Sequence, residues 1–189
     1  MFFVDQNATK MSGSSDQPRA ERADSTAILP CMDISSQAEF AADPSTVYTM
    51  MTTKEYLDKV CAATRASDYD VTVSGATTKT SRTLPAPEMA ARFTGPTLQV
   101  VEEIVWGDAS ADGSRVGALK LTVPGQPLSM NGTMSIKPGG PGTVVALDAE
   151  LKVSIPLLGK KLEQSAAPAV TSGFRTHQGV GNTWLAERS

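Results

Sequence analysis

Residues 145–155 read VALDAELKVSI, and this stretch decides the fold because apolar and polar side chains alternate at every position from Leu147 onwards. The polar members include Asp148, Glu150, Lys152 and Ser154. Successive side chains of a strand point to opposite faces of a sheet, so one face should pack on a core while the other meets water. A two-sided parallel sheet would have helices on both faces, and this strand does not fit there. The stretch therefore predicts an antiparallel sheet with one wet face.

The same alternation occurs in three segments before this strand. Their inward faces carry Leu98, Val100, Ile104 and Trp106, then Gly117, Leu119, Leu121 and Val123, then Leu128, Met130, Gly132, Met134 and Ile136. The connections are Asp112-Gly113, PGQP at residues 124–127 and PGGPG at residues 138–142, which is the chemistry of short hairpin turns. The four strands are therefore predicted to form an antiparallel meander.

A change of period follows the last strand. From about residue 160 to residue 185 apolar side chains recur every three or four positions, which indicates one long amphipathic helix. Pro168 removes an intrahelical hydrogen bond and is predicted to kink this helix. The glycines at 173, 179 and 181 each cost about 1 kcal/mol relative to alanine in a helix interior. They leave two interpretations open: room for a ligand beneath the helix, or close packing on the sheet.

Two short helices are predicted near the start of the patterned region. A weakly alternating strand over residues 34–42 ends at Asp43-Pro44, which supplies an N-cap acceptor followed by proline at the first helical position. Thr52 and Glu55 then have capping-box spacing, which predicts a second helix ending near Ala66.

The middle of the chain supplies the remaining elements. Two strands are expected over residues 69–73 and 79–84, and one helical turn over residues 88–93. The whole order predicts an α+β fold, in which a curved antiparallel sheet of about seven strands wraps around the long C-terminal helix and two short helices follow the first strand.

Composition excludes several classes of partner. The net charge is −3, the pI is near 5.2, and no basic stripe is present to neutralise a phosphate backbone, so nucleic acid is not an expected partner. No apolar run approaches the roughly 18–20 residues of a membrane span, and the first residues lack the pattern of a signal peptide. A cytoplasmic location is therefore expected. Cys31 and Cys61 are interpreted as two free thiols.

The order of elements and several local motifs resemble the START-like superfamily, also called the helix-grip, birch-pollen-allergen-like or polyketide cyclase (SRPBCC) superfamily. FAADPSTVYTMMT at residues 40–52 is similar to the superfamily's opening motif, in which a strand ends at an Asp/Ala-Pro and continues as a helix. The other matching segments are RTLP at 82–85, LQVVEEIVWG at 98–107, DGSR at 112–115, VSIPLLG at 153–159 and VGNTWL at 180–185. Together they resemble an uncharacterised bacterial branch of unknown function.

The resemblance covers about residues 32–187 and implies the helix-grip fold. Relatives in the superfamily include lipid-transfer domains, hormone receptors, polyketide aromatases and cyclases, and chaperone activators, so the resemblance implies no single activity. Residues 32–189 are therefore expected to form one START-like domain. Residues 1–31 are rich in polar side chains with little apolar periodicity, and we expect them to form a disordered tail.

The inward faces of the strands and of the long helix predict a ligand-binding surface. Its predicted members are Leu98, Val100, Glu102, Ile104, Leu119, Leu121, Met130, Met134, Leu147, Leu151, Val170, Phe174 and His177. Met50, Met51 and Met89 are expected to add soft, adaptable apolar surface. The same residues equally suit an ordinary filled core.

Glu102 and His177 are the two candidates for catalysis. Glu102 lies on the inward parity of its strand, where a carboxylate needs a partner, so it either serves a ligand or a proton transfer, or forms a structural pair with an arginine such as Arg82. A bulge that turns it to solvent is a further alternative. The structural interpretations are favoured. His177 is the single histidine and has no second ligand at metal-binding spacing, so neither a metal nor a cofactor is predicted, and a satisfied helix histidine is favoured.

The leading hypothesis is a non-catalytic binding or carrier domain for a hydrophobic small molecule, lipid-like or aromatic, held between the sheet and the C-terminal helix. One alternative is a cyclase- or hydratase-type enzyme acting on an apolar or polyketide-like substrate through Glu102 and His177. Another is a protein-interaction module with a closed core. The sequence favours the first because four one-sided strands face a helix that contains a proline and several glycines.

Overall fold

A computed structural model describes residues 31–188 and shows one antiparallel sheet of seven strands with four helices in that range. The strands are β1 Met32–Phe40, β2 Asp68–Ser74, β3 Thr77–Pro85, β4 Thr97–Trp106, β5 Arg115–Thr122, β6 Leu128–Gly139 and β7 Gly142–Val153. The helices are α1 Pro44–Met51, α2 Lys54–Ala63, α3 Glu88–Thr94 and α4 Gly159–Ala186. The predicted α+β helix-grip architecture is confirmed.

The sheet runs in the order β1-β7-β6-β5-β4-β3-β2, with every neighbouring pair antiparallel. Strands β2 to β7 therefore form one continuous meander, which includes the four strands predicted from alternation. Strand β1 joins the far side of β7, where Met32 lies opposite Leu151 and Phe40 opposite Thr143. The predicted disordered tail lies, apart from Cys31, outside the described residues.

The alternation that predicted the sheet is reproduced in its burial. Val145, Leu147 and Leu151 of β7 are buried, while Asp148 and Glu150 between them are exposed. The buried face is continuous with the apolar core, and the other face of β7 meets water. The prediction of a one-sided antiparallel sheet is therefore confirmed.

The long helix α4 lies across the buried side of the sheet. It packs mainly on β1, β7 and α2, and it stands off from the middle strands β4 and β5. Pro168 lies on its exposed side and the helix continues through that residue, so the kink stays a prediction. None of the helices within residues 31–188 combines the length and the hydropathy needed to cross a membrane.

The two interpretations of the helical glycines apply to different residues. A Cβ on Gly181 would lie 2.5 Å from Cε1 of Phe40 and 3.0 Å from Cε of Met50, so this glycine permits close packing of α4 on β1. A Cβ on Gly173 or Gly179 would meet no atom within 4 Å. Of these three glycines, only Gly181 is therefore closely packed.

The connection between α1 and α2 differs in part from the prediction. The N-cap at Asp43 is confirmed, since its Oδ1 accepts hydrogen bonds from the backbone N–H of Ser45 at 2.9 Å and of Thr46 at 3.1 Å. The capping box is wrong: the hydroxyls of Thr52 and Thr53 donate to carbonyl oxygens at the end of α1. With only two residues between the helices, the carbonyl oxygens in the last turn of α1 lie closer to these two hydroxyls than the N–H groups of α2 do.

Helix α2 also ends earlier than predicted, at Ala63 rather than near Ala66. Arg65 adopts a left-handed conformation with φ of 59°, which an L-residue cannot adopt inside a right-handed helix. The chain consequently turns out of α2 before Ala66 and leads into β2.

Candidate functional site: a cavity between the sheet and helix α4

A cavity of about 580 Å³ lies between α4 and the middle of the sheet. It occupies the region where α4 stands off from the sheet, because the helix rests on β1 and β7 while the remaining strands pass beneath it at a distance. The sheet contributes Arg82, Leu84, Leu98, Val100, Glu102, Leu119, Leu121, Met130, Met134, Leu147 and Leu151, among others. The helix contributes Ala166, Ala169, Val170, Ser172, Gly173, Phe174, Thr176 and His177.

All of the residues predicted to bind ligand, except Ile104, line this cavity. Ile104 is buried in the core towards the end of β4 that carries Trp106, whereas the cavity extends along the other end of that strand. The structure shows that these residues line the cavity. Their role in binding a ligand stays a prediction.

The methionines divide into two groups. Met130 and Met134 are buried and line the cavity. Met50 and Met51 are instead buried in the core outside the lining, and Met89 is exposed on α3. The expected contribution of those three to the cavity surface is wrong, because their helices pack beside the cavity and not over it.

Arg82 and Glu102 form an ion pair in the cavity wall. Arg82 lies opposite Val100 and Glu102 opposite Thr80 in the register of β3 and β4, so the two side chains are diagonal neighbours on one face. Nη2 of Arg82 donates to Oε2 of Glu102 at 3.0 Å, and the side chains are only 8% and 16% exposed. The structural pair is confirmed, and the regular register leaves no bulge at Glu102.

His177 is held on the opposite wall by Tyr56 of α2. The hydroxyl of Tyr56 lies 3.1 Å from the backbone oxygen of His177 and 3.3 Å from its Nδ1. Burial lowers the pKa of His177 from its ordinary value of 6.5 to about 4, and the nearby Glu102 carboxylate opposes that shift only in part. Burial likewise raises the pKa of the Tyr56 hydroxyl. Both groups are therefore neutral at pH 7.

These two contacts indicate which ring nitrogen of His177 carries the proton. A tyrosine hydroxyl has a single proton, and a carbonyl oxygen can only accept. When Tyr56 donates this proton to the backbone oxygen, its hydroxyl oxygen can only accept in the second contact. The second contact is then a hydrogen bond only if Nδ1 of His177 carries a proton and donates it. Nε2 is then an unprotonated acceptor, and none of the described residues bonds to it.

The exposed residues of the lining mark the mouth of the cavity. They are Ala63 at the end of α2, Arg65 in the turn that follows, Pro85 at the end of β3, and Ala169 and Ser172 on α4. None of the five was predicted to bind ligand: Arg65 lies in irregular backbone, which has no period, and the other four border the cavity because of how their elements pack, which periodicity does not predict. A signal for Arg82 did exist, since it shares the inward parity of β3 with Thr78 and Thr80, which are also buried.

A second cavity of about 50 Å³ lies beneath α3, beside the first. It is lined by Phe93, Leu162 and other apolar residues, and it shares Leu98 and Ala166 with the larger cavity. Helix α3 has no fully buried residue. The larger cavity is therefore flanked on this side by a lightly packed element.

Metal-binding side chains are not grouped in the structure. Within residues 31–188 no three His, Cys, Asp or Glu side chains come together as a metal ion would require. Cys61 is buried and Cys31 half-buried, and both are free thiols.

Comparison with solved structures identifies the class of fold. TTHA0849 from Thermus thermophilus is 21% identical with a TM-score of 0.57, over 84% of this chain and all of that one. A START superfamily protein from Mycobacterium smegmatis is 13% identical with a TM-score of 0.50, over 78% of this chain and 94% of that one. Ara h 8.0201 is 12% identical with a TM-score of 0.51, over 79% and 97% respectively. The protein thus has the START-like fold.

The chain belongs to the family described as protein of unknown function DUF2505, which matches residues 35–185. No curated protein matches it. The expectation of a START-like fold in an uncharacterised family is confirmed.

Proposed function

We propose that this protein binds and carries a hydrophobic small molecule, lipid-like or aromatic, in the cavity between the sheet and α4. The observation that carries the proposal is the cavity of about 580 Å³ with Leu, Val, Met and Phe side chains on its walls. Protein interiors are otherwise packed with few voids larger than a water molecule. A space of this size falls within the range of small-molecule pockets, roughly 300–1,000 Å³.

The division of packing along α4 supports the same proposal. The C-terminal part of the helix is fixed closely to β1 through Gly181, whereas Gly173 faces open space in the cavity wall. An anchored helix that stands off from the sheet over part of its length maintains the space without a ligand present. A closed core, as the protein-interaction hypothesis requires, does not account for this arrangement.

The enzyme hypothesis requires Glu102 and His177 in one cavity, and both line it. One oxygen of Glu102 is already engaged by the guanidinium of Arg82, which favours an anchoring role over proton transfer. Carriage is therefore the better-supported function, and it predicts that a bound molecule leaves the protein with unchanged mass.

The proposal can be tested by filling the cavity. In Gly173→Phe the new side chain enters open space at the wall, and we expect affinity for the neutral fluorescent probe N-phenyl-1-naphthylamine to fall about tenfold or more, because the ring occupies ligand volume. Gly179→Phe is the matched control, since position 179 lies on the same helix, is exposed and is outside the lining. Its affinity should stay at the wild-type value.

Native mass spectrometry of the gently purified protein complements the titration. We expect a bound species with wild type and with Gly179→Phe, and a reduced amount with Gly173→Phe. The proposal fails if wild type shows neither a bound molecule nor saturable probe binding, or if the two variants bind the probe equally well.

A further inference from the structure

Arg82 has hydrogen-bonding capacity that the protein does not use. A guanidinium carries five N–H donors, and a single hydrogen bond of this side chain, to Glu102, occurs among the described residues. The side chain is more than nine-tenths buried, and its Nε–H has no hydrogen-bond partner. Buried donors are normally satisfied, and an unpaired one is costly. Since Arg82 lines the cavity, a ligand oxygen can complete its set of hydrogen bonds.

Two unused acceptors belong to side chains that line the same cavity, one on the sheet and one on α4. Oε1 of Glu102 has no hydrogen-bond partner among the described residues, and neither has Nε2 of His177. Arg82 and Glu102 are in contact on the sheet side and His177 lines the same cavity from α4, and both charged groups influence the pKa of His177. We call these three side chains the polar cluster. The cluster therefore offers donors from Arg82 and acceptors from the other two side chains, in a lining that is otherwise mainly apolar.

The formal charge of this cluster is zero, because the charges of Arg82 and Glu102 oppose each other and His177 is neutral at pH 7. A carboxylate ligand would approach the Glu102 carboxylate as well as Arg82, and an ammonium ligand would approach the Arg82 guanidinium. A charged group also loses far more hydration than a neutral one on entering an apolar cavity. An uncharged head group that both accepts and donates hydrogen bonds matches the cluster better than either ion.

We propose, on the basis of the carrier function above, that the cavity selects uncharged amphipathic ligands. Such a ligand has an apolar body and a polar head group with carbonyl and hydroxyl oxygens, and the head group is held by Arg82, Glu102 and His177. The carbonyl oxygen accepts from Arg82, and the hydroxyl donates to Glu102 or His177. The apolar body lies along Leu119, Leu121 and Met130.

The experiment compares three naphthalenes of nearly equal size: 2-ethylnaphthalene has no polar head, 2-acetylnaphthalene has a neutral carbonyl, and 2-naphthoate has a carboxylate. Each displaces N-phenyl-1-naphthylamine from wild type and from the double variant Arg82→Met/Glu102→Leu. Removing both partners leaves no unpaired buried charge. The ratio of the ethyl to the acetyl dissociation constant is compared between proteins, so that the different water solubilities of the two ligands cancel.

We expect the double variant to lower this ratio about tenfold or more, the effect of losing a hydrogen bond to a charged group. Arg175→Met, on the exposed side of α4, is the matched control and should leave the ratio unchanged. Naphthoate should bind wild type more weakly than 2-acetylnaphthalene. An unchanged ratio in the double variant, or tighter binding of naphthoate, overturns the proposal.

The carrier function is judged separately from this selectivity. If wild type and the double variant both bind 2-ethylnaphthalene while the ratio stays constant, the carrier proposal stands and the head-group proposal falls. If wild type binds none of the three ligands and no probe, both fall. Should the double variant not fold, Arg82→Lys keeps a cation beside Glu102 but lacks Nε–H and the planar fork, and it should lower the same ratio.

Discussion

Tyr56 and His177 form a contact between two helices as well as a part of the cavity wall. One hydroxyl on α2 bonds to both the backbone and the ring of a residue on α4, and the Tyr56 ring also packs edge-on against Trp184 at 6.0 Å between centroids. A charged imidazole at this position would lose much of its hydration, and the Glu102 carboxylate offsets that loss only in part. Protonation of His177 should therefore act against the folded state.

The first prediction concerns pH. The unfolded chain binds a proton at His177 below pH 6.5, whereas the folded protein does so only near pH 4. The contribution to stability is then fully present above about pH 6.5 and is lost as the pH falls towards 4. We expect a loss of about 2 kcal/mol over that interval, less than the full shift implies because the cavity gives water some access to the ring. Urea denaturation between pH 7 and pH 4 measures it.

The matched variant is His177→Gln, whose side chain does not titrate. The difference in unfolding free energy between wild type and this variant should shrink or reverse as the pH falls from 6.5 to 4. Asp43 and Asp112 have pKa values below the ordinary value of 3.8, so their own contributions are lost mainly at lower pH. A difference that stays constant with pH would contradict the buried, neutral imidazole.

At the scale of the element, Gly181 of helix α4 has no room for a side chain whereas Gly179 has. The second prediction compares the effect of alanine at these two positions. Gly181→Ala should lower the unfolding free energy by about 1–3 kcal/mol, because its Cβ would approach Phe40 within 2.5 Å and force the core to shift. Gly179→Ala should raise it by about 1 kcal/mol, because alanine has the higher helix propensity and meets no neighbour. Thermal or urea unfolding decides the sign. Equal effects at both positions would exclude close packing at Gly181.

The third prediction concerns the start of α4. Glu163 is buried, and its Oε1 accepts a hydrogen bond of 2.8 Å from the backbone N–H of Val153 at the end of β7. This bond joins the N-terminal part of the helix to the last residue of the strand. Glu163→Ala should cost about 2 kcal/mol because it leaves a buried donor unpaired, whereas Glu163→Gln keeps a carbonyl acceptor and most of the stability. Equal losses in the two variants would count against the hydrogen bond.

Most elements were predictable because alternation and helical period follow directly from burial on one face. Strand β7 and helix α4 illustrate this, and Asp43 shows that a local cap can also be predicted. The capping box at Thr52 was wrong because the choice between two helix ends depends on how the helices pack, which no local pattern contains.

The candidate site was predictable in its walls but not in its shape. The sequence predicts which side chains point inward, and Arg82 and Glu102 could be paired because parity places both on that face. It does not predict that α4 rests on β1 and stands off from β4, since a few ångströms of sheet curvature decide between a filled core and a cavity. Ile104 and the methionines of the short helices fell outside the lining for the same reason.

At the scale of the whole molecule, the fourth prediction concerns the domain boundary. Strand β1 begins at Met32, which lies opposite Leu151, so a chain of residues 32–189 keeps every strand pairing that occurs within residues 31–188. Removal of Cys31 breaks a surface hydrogen bond from its thiol to Glu150. We expect the melting temperature of the shortened chain to stay within about 2 °C of the full-length value. A matched deletion that also removes residues 32–36 should destabilise strongly, and a fall of more than about 5 °C for residues 32–189 would contradict the boundary.

The pairing of β1 with β7 has a consequence for how the protein is made. Among the described strands β1 is the first to leave the ribosome, and its partner in the sheet begins about 100 residues later, at Gly142. At roughly 5–20 residues per second the intervening chain takes about 5–20 seconds to synthesise, longer than the milliseconds to seconds in which small β-rich domains fold. Translation, and not the folding reaction, therefore sets how long the apolar side of β1 remains without its partner.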